Sequence, residues 1–161
     1  MKPRSARNRI CLILAILWMA VIFIFSHRPA DLSEQDSSLV GEIILHIAVP
    51  DFEDLSPAVQ NEMLERITYP VRKCAHMTEY ALLAVLLLGA FYTPVVTSFA
   101  AASANALILT MIYAATDEFH QTFIAGRSGE LRDILIDTCG AIIGLLIARI
   151  IFAIHTSRTH S

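Results

Sequence analysis

Charge is scarce in this chain: of 161 residues only 17% are Asp, Glu, Lys or Arg, whereas soluble domains carry about 25%. An ordinary soluble globule is therefore disfavoured, and a membrane class leads. Cysteine is also sparse. Cys11, Cys74 and Cys139 lie within or beside apolar runs, are odd in number and form no CxxC, so neither a disulfide framework nor a thiolate metal site is signalled. They are expected to be small buried hydrophobes. There is no HExxH or comparable metal spacing, no evident activated Ser or Cys nucleophile and no nucleic-acid motif, and no cofactor is implied.

What the chain has is apolar length. Hydrophobic residues make up 55% of it, and the windows 10–26, 72–92, 95–116 and 134–154 each approach the roughly 20 residues that cross a bilayer. The expected fold is all-α: a single four-span membrane domain covering 1–161. The basic stretch MKPRSARNR and the uncharged run after it resemble a signal peptide, but SHRPADL offers no small-x-small cleavage site. Span one is read as an uncleaved anchor.

Between spans one and two, residues 27–72 hold nine of the fifteen acids. Ser33 is placed to cap a helix carrying Leu39, Val40, Ile43, Ile44 and Ile47, and Ser56-Pro57 to start a second that presents Val59, Met63 and Ile67 until Pro70 stops it. Both are expected as amphipathic helices in the outer loop, lying on the membrane or on the bundle. Farther along, Asn105 in span three reads as an interhelical hydrogen bond and Trp18 in span one as a packing residue. Gly140 and Gly144 form a GxxxG that predicts a close helix contact inside the monomer.

Basic residues divide evenly between the two sides, so orientation rests on the strongly basic flank of the first span, which usually dominates. Both termini are expected in the cytoplasm. The stretch DEFHQTFIAGRSGELRD at 117–133 then shares the outer face with RKCAHMTEY at 72–80, whose Lys73, His76, Glu79 and Tyr80 fall on one helical face. Glu79 lies about 10 Å along its helix from Arg72, and Asp137 a turn inside Asp133. Ionisable groups at such depth are functional candidates, whereas Glu118 and Glu130 read as solvated charges.

Four readings of this cluster compete. Lys73, Arg127 and Arg132 could neutralise the acids in a structural network. His76, Glu79, Asp117, His120 and Asp133 supply metal-ligand types without a metal-specific spacing. His76 and Glu79 could be the catalytic acid and base of a hydrolase or transferase. Finally, Lys73 and Arg127 could hold anionic groups, and the acids cationic ones, of a bound amphiphile.

The segments RKCAHMTEYALL at 72–83, YAATDEFHQTFIAGRSGELRDILIDTCGAIIG at 113–144 and FSHRPADLSEQDSS at 25–38 together resemble the VanZ-like family of bacterial membrane proteins. The resemblance implies a plasma-membrane protein whose shared polar residues are Lys73, His76, Glu79, Tyr80, Asp117, Glu118, His120, Gln121, Arg127 and Asp133. The family is named for an accessory protein associated with teicoplanin resistance, and commonly carries Asn where this chain has Asp137. The expectation is a membrane protein whose outer pocket binds membrane lipids, lipid-linked cell-wall intermediates or a glycopeptide antibiotic, affecting antibiotic susceptibility or envelope maintenance. The alternative is a membrane enzyme acting on lipid-linked cell-envelope substrates.

Overall fold

The computed structural model describes residues 5–94 and 96–159. Five α-helices follow in order: α1 (Ala6–Ser26), α2 (Ala30–Ala48), α3 (Pro57–Phe91), α4 (Phe99–Gln121) and α5 (Leu131–Thr159), with a 3₁₀ turn at Phe52–Asp54. Among the described residues there is no strand. All but α2 of these helices are long and apolar enough to cross a membrane.

The start of α1 is set by Ser5, whose side chain accepts the Asn8 backbone N–H, a cap that satisfies a donor the helix leaves free. Asn8, 1% exposed, then reaches across to α3. Its amide donates to the carbonyls of Gly89, Ala90 and Tyr92 at 3.0, 3.2 and 2.8 Å, where α3 runs out of helical partners. Thus the first turn of α1 caps the end of α3, and Phe152 of α5 packs against Tyr92 at the same end of the bundle.

α3 is the organising element, packing against each of the other helices. Its 35 residues extend about 52 Å, well beyond a hydrocarbon core of about 30 Å, so its first turns project from the span. Pro70 does not stop it. Pro70 and Arg66 are both exposed, which leaves the carbonyl freed by the missing proline N–H on the open side of the helix. Ser56 occupies the cap position but its side chain makes no capping bond.

α2 also departs from expectation, beginning at Ala30 behind Pro29 and not at Ser33. It packs on the projecting part of α3 through Ser37, Gly41 and Leu45, with Gly41 facing Leu64, Ile67 and Thr68. The apolar stripe Leu39, Val40, Ile43, Ile44 and Ile47 is exposed, so it lies away from that contact.

Within the spans, hydrophobicity cannot drive helix association, because lipid is as apolar as leucine; close packing and polar bonds do it. Tyr80, Ile22, Leu83 and Leu87 form the large fully buried core, interleaved with Ala15, Ala84, Ala102, Ala106 and Ala141. The GxxxG does what was expected of it: a Cβ on Gly140 would stand 2.2 Å from the Met77 carbonyl oxygen, and one on Gly144 2.6 Å from that of Ala81. α5 therefore runs backbone to backbone against α3. Asn105, by contrast, is exposed and makes no interhelical bond among the described residues. Cys74 and Cys139 are exposed and Cys11 only partly buried, so the cysteines do not fill the core.

Candidate functional site

α4 is a turn longer than its hydropathy indicates, and that turn makes the site. Asp117, Glu118 and Gln121 belong to the helix and are buried at 4%, 5% and 6% exposure; the true link is only 122–130. A charged helical turn is tolerable there because α1, α3 and the link all present donors to it.

Asp117 is the hub. Its Oδ2 accepts from Ser26 Oγ at 2.7 Å, Tyr80 Oη at 3.1 Å and Gln121 Nε2 at 3.1 Å, joining α1, α3 and α4 at one atom. Gln121 passes the network on, its Oε1 accepting from Arg127 at 3.0 Å. Arg127 Nε donates to the Arg28 carbonyl at 2.9 Å, and its second terminal nitrogen lies 3.5 Å from that of Phe25. Burial holds the Arg127 guanidinium below the usual arginine range, helped by the Arg72 charge and opposed by Asp117, Glu118 and Glu79.

The link is bent by Gly126, whose φ of 73° is a conformation glycine adopts without a Cβ clash. Beside it the Ala30 N–H donates to the Ala125 carbonyl at 3.2 Å, which ties the start of α2 to the link. Glu118, expected as a solvated charge, instead accepts the Glu130 backbone N–H at 2.6 Å, just ahead of α5. Glu130 itself is exposed.

Lys73 pairs with Asp133, joining α3 to α5, and His76 Nδ1 lies 3.5 Å from Glu79 Oε2. That separation is within ion-pair range should the imidazole be protonated, but it exceeds the roughly 3 Å of a well-formed catalytic hydrogen bond. His76 stands where three spaces meet. A void of about 10 Å³ is lined by Lys73, His76, Glu118, Gln121, Asp133 and Asp137, and a crevice of about 100 Å³ includes Arg72, Lys73, His76 and Arg127. The largest space is a groove of about 770 Å³ walled by Trp18, Phe25, Val40, Ile44, Ile67, Val71 and Leu82, with Arg72, His76, Glu79 and Arg127 among its polar groups.

Most of the residues singled out by sequence thus converge. His120 does not: its imidazole lies 3.2 Å from that of His27 and its ring is tilted against Phe23. Tyr80 and Asp117 back the site without lining any of these spaces. Sequence reasoning missed Ser26, the partner of Asp117, and gave no specific role to Arg72, a groove cation with no acid partner among the described residues. It also took Trp18 for packing alone, whereas its indole donates to the Glu79 carbonyl at 2.9 Å.

Three buried carboxylate oxygens, Glu79 Oε2, Asp117 Oδ1 and Asp133 Oδ1, accept no hydrogen bond. Each such orphan costs about 1–3 kcal/mol, so the site is short of donors. Among the described residues no group of His, Cys, Asp or Glu is arranged to hold a metal.

These features define a multi-pass helical membrane protein with a polar cluster set into one end of its bundle. The model of the VanZ/LLP1 family matches residues 11–152, most of the chain, which therefore belongs to that family. No curated protein and no solved structure matches it.

Proposed function

We propose that this protein binds an amphiphile at the outer face of the plasma membrane, a lipid-linked cell-envelope intermediate or a glycolipopeptide, and thereby alters glycopeptide susceptibility or envelope maintenance. One observation carries the reading: the groove of about 770 Å³ whose apolar wall runs from α1 across α2 and α3 to Arg72, His76 and Glu79. An apolar tail fits the wall, which includes the exposed side chains Phe25, Val40, Ile44 and Leu82, and so opens on the flank of the bundle. The head group meets Arg72, which has no acid partner among the described residues, beside His76 and Glu79 on the same wall. Lys73 and Arg127 are engaged with Asp133, Gln121 and backbone carbonyls, so their part is to shape the pocket.

Mass spectrometry of lipids co-purifying with wild type, Arg72→Ala, Glu79→Gln and Leu82→Trp tests this. Retention should fall in all three variants, with susceptibility to a teicoplanin-type antibiotic changing in step. Unchanged retention and susceptibility across correctly folded variants would defeat the proposal. A second reading, hydrolysis or group transfer on a lipid-linked substrate, draws on His76 and Glu79 sharing one groove wall; turnover by wild type that His76→Gln abolishes would favour it.

A further inference from the structure

We infer that the bundle carries a second lipid site, at the end where α1 starts and α3 finishes, which takes one anionic phospholipid from that leaflet. A groove of about 380 Å³ lies between α4 and α5, lined by Ala100, Ala104, Leu107, Ile142, Leu146 and Arg149. Small residues open a channel of acyl-chain character there. Arg149 is exposed and sits 5.1 Å over the Phe99 ring, a stacking that orients the guanidinium while leaving its donors available.

Charge complementarity identifies the occupant. No acid side chain occurs before Asp31, between Glu79 and Asp117, or after Asp137, so among the described residues this half of the molecule has no side-chain carboxylate to answer Arg149. A negative group from outside the chain answers it, and one already joined to an acyl chain fills the groove and meets Arg149 together. Phe99 also packs 5.0 Å from Phe152 and 5.7 Å from Tyr92, and Arg7 donates to the Tyr92 carbonyl at 2.9 Å. The aromatic cluster marks an interface level at which headgroups lie. This site shares no residue with the groove at the other end.

Native mass spectrometry of the full chain in detergent, titrated with phosphatidylglycerol and with phosphatidylcholine of the same acyl chains, reads the site. Wild type should prefer phosphatidylglycerol by about fivefold, as expected for one basic residue near an anionic headgroup. Arg149→Gln should abolish the preference and Arg149→Lys keep most of it, and Ala104→Trp should weaken binding of both lipids by filling the groove. Equal binding of the two lipids by wild type, or an undiminished preference in Arg149→Gln, overturns the inference. So does glycerol phosphate competing as well as the lipid, which would make this a site for free phosphate. Because Arg149 is exposed, unchanged thermal unfolding of Arg149→Gln is expected and separates lost binding from lost fold.

Discussion

Adding one methyl group at Gly140 should injure both the fold and the site. The new Cβ would sit 2.2 Å from the Met77 carbonyl oxygen and 2.7 Å from its Cα, and both obstacles are backbone. Relief requires α5 to back away until the gap reaches the 3.4 Å at which ordinary contact begins. Backing away by even 0.5–1 Å forfeits about a quarter to a half of each dispersion contact along the seam. Overpacking of this kind costs about 1–3 kcal/mol, occasionally more, against a gain of about 1 kcal/mol from alanine's better helix propensity. Gly140→Ala should therefore lose about 2 kcal/mol at the upper end of that range. Gly89→Ala is the control: its Cβ would meet the Cys11 thiol at 2.8 Å, a side chain that can turn aside. Unfolding in one detergent, followed by Trp18 fluorescence, should place Gly140→Ala well below wild type and Gly89→Ala between them. Because Lys73–Asp133 spans the same two helices, ligand retention should fall as well. A Gly140→Ala protein as stable as wild type would refute the backbone contact.

Asp117→Asn keeps an oxygen for Ser26, Tyr80 and Gln121 and alters chiefly the side whose Oδ1 has no donor. It should unfold within about 1 kcal/mol of wild type, whereas Asp117→Leu strands buried donors at about 1–3 kcal/mol each; equal damage from both in thermal unfolding would show the hub is misassigned. Arg127→Lys keeps the charge but cannot reproduce a fork that reaches Arg28, Gln121 and Phe25 from separate nitrogens. Hydrogen exchange across residues 122–130 should accelerate in Arg127→Lys nearly as much as in Arg127→Ala, and protection at the wild-type level in the lysine variant would contradict the geometry.

The four spans were legible because sustained hydropathy is a property of length and composition, which packing does not alter. Their ends were not. Pro70 is a local helix breaker by chemistry, yet α3 continues because α2 packs against Leu64, Ile67 and Thr68 just ahead of it and the freed carbonyl faces outward. The charged turn 117–121 looked like a loop because hydropathy treats every acid as solvated. Burial of Asp117 depends on Ser26 and Tyr80, which stand 91 and 37 residues away, and no local window contains them. Glu118 shows the same limit, since its acceptor role exists only because the link folds back to bring the Glu130 N–H to it. The face of Lys73, His76, Glu79 and Tyr80 was readable because one helix sets it, whereas Arg72 and Trp18 acquire their places only when α2 and α1 close the groove.

Orientation follows from the same separation of charge, and we infer that both termini are cytoplasmic. Counted as residues, the bases divide equally between the two ends and decide nothing. At the end away from the termini, however, Arg28 pairs with Asp36, Arg66 with Glu62 and Lys73 with Asp133, while Arg127 is committed to carbonyl groups. Those positions are accounted for by the pocket and by the α2–α3 hairpin. Among the described residues Arg7, Arg9 and Arg149 at the other end are paired with no acid side chain, and the basic segment flanks the first span, whose charge bias usually sets topology. With the native cysteines replaced, cysteine at Ser56 should react with a membrane-impermeant maleimide in intact cells, and cysteine at Ser157 only after lysis. Both positions are exposed, so reactivity reports the side of the membrane and not burial. The opposite labelling pattern would invert the protein, move the large groove to the cytoplasmic leaflet and remove the proposed encounter with ligands at the outer face.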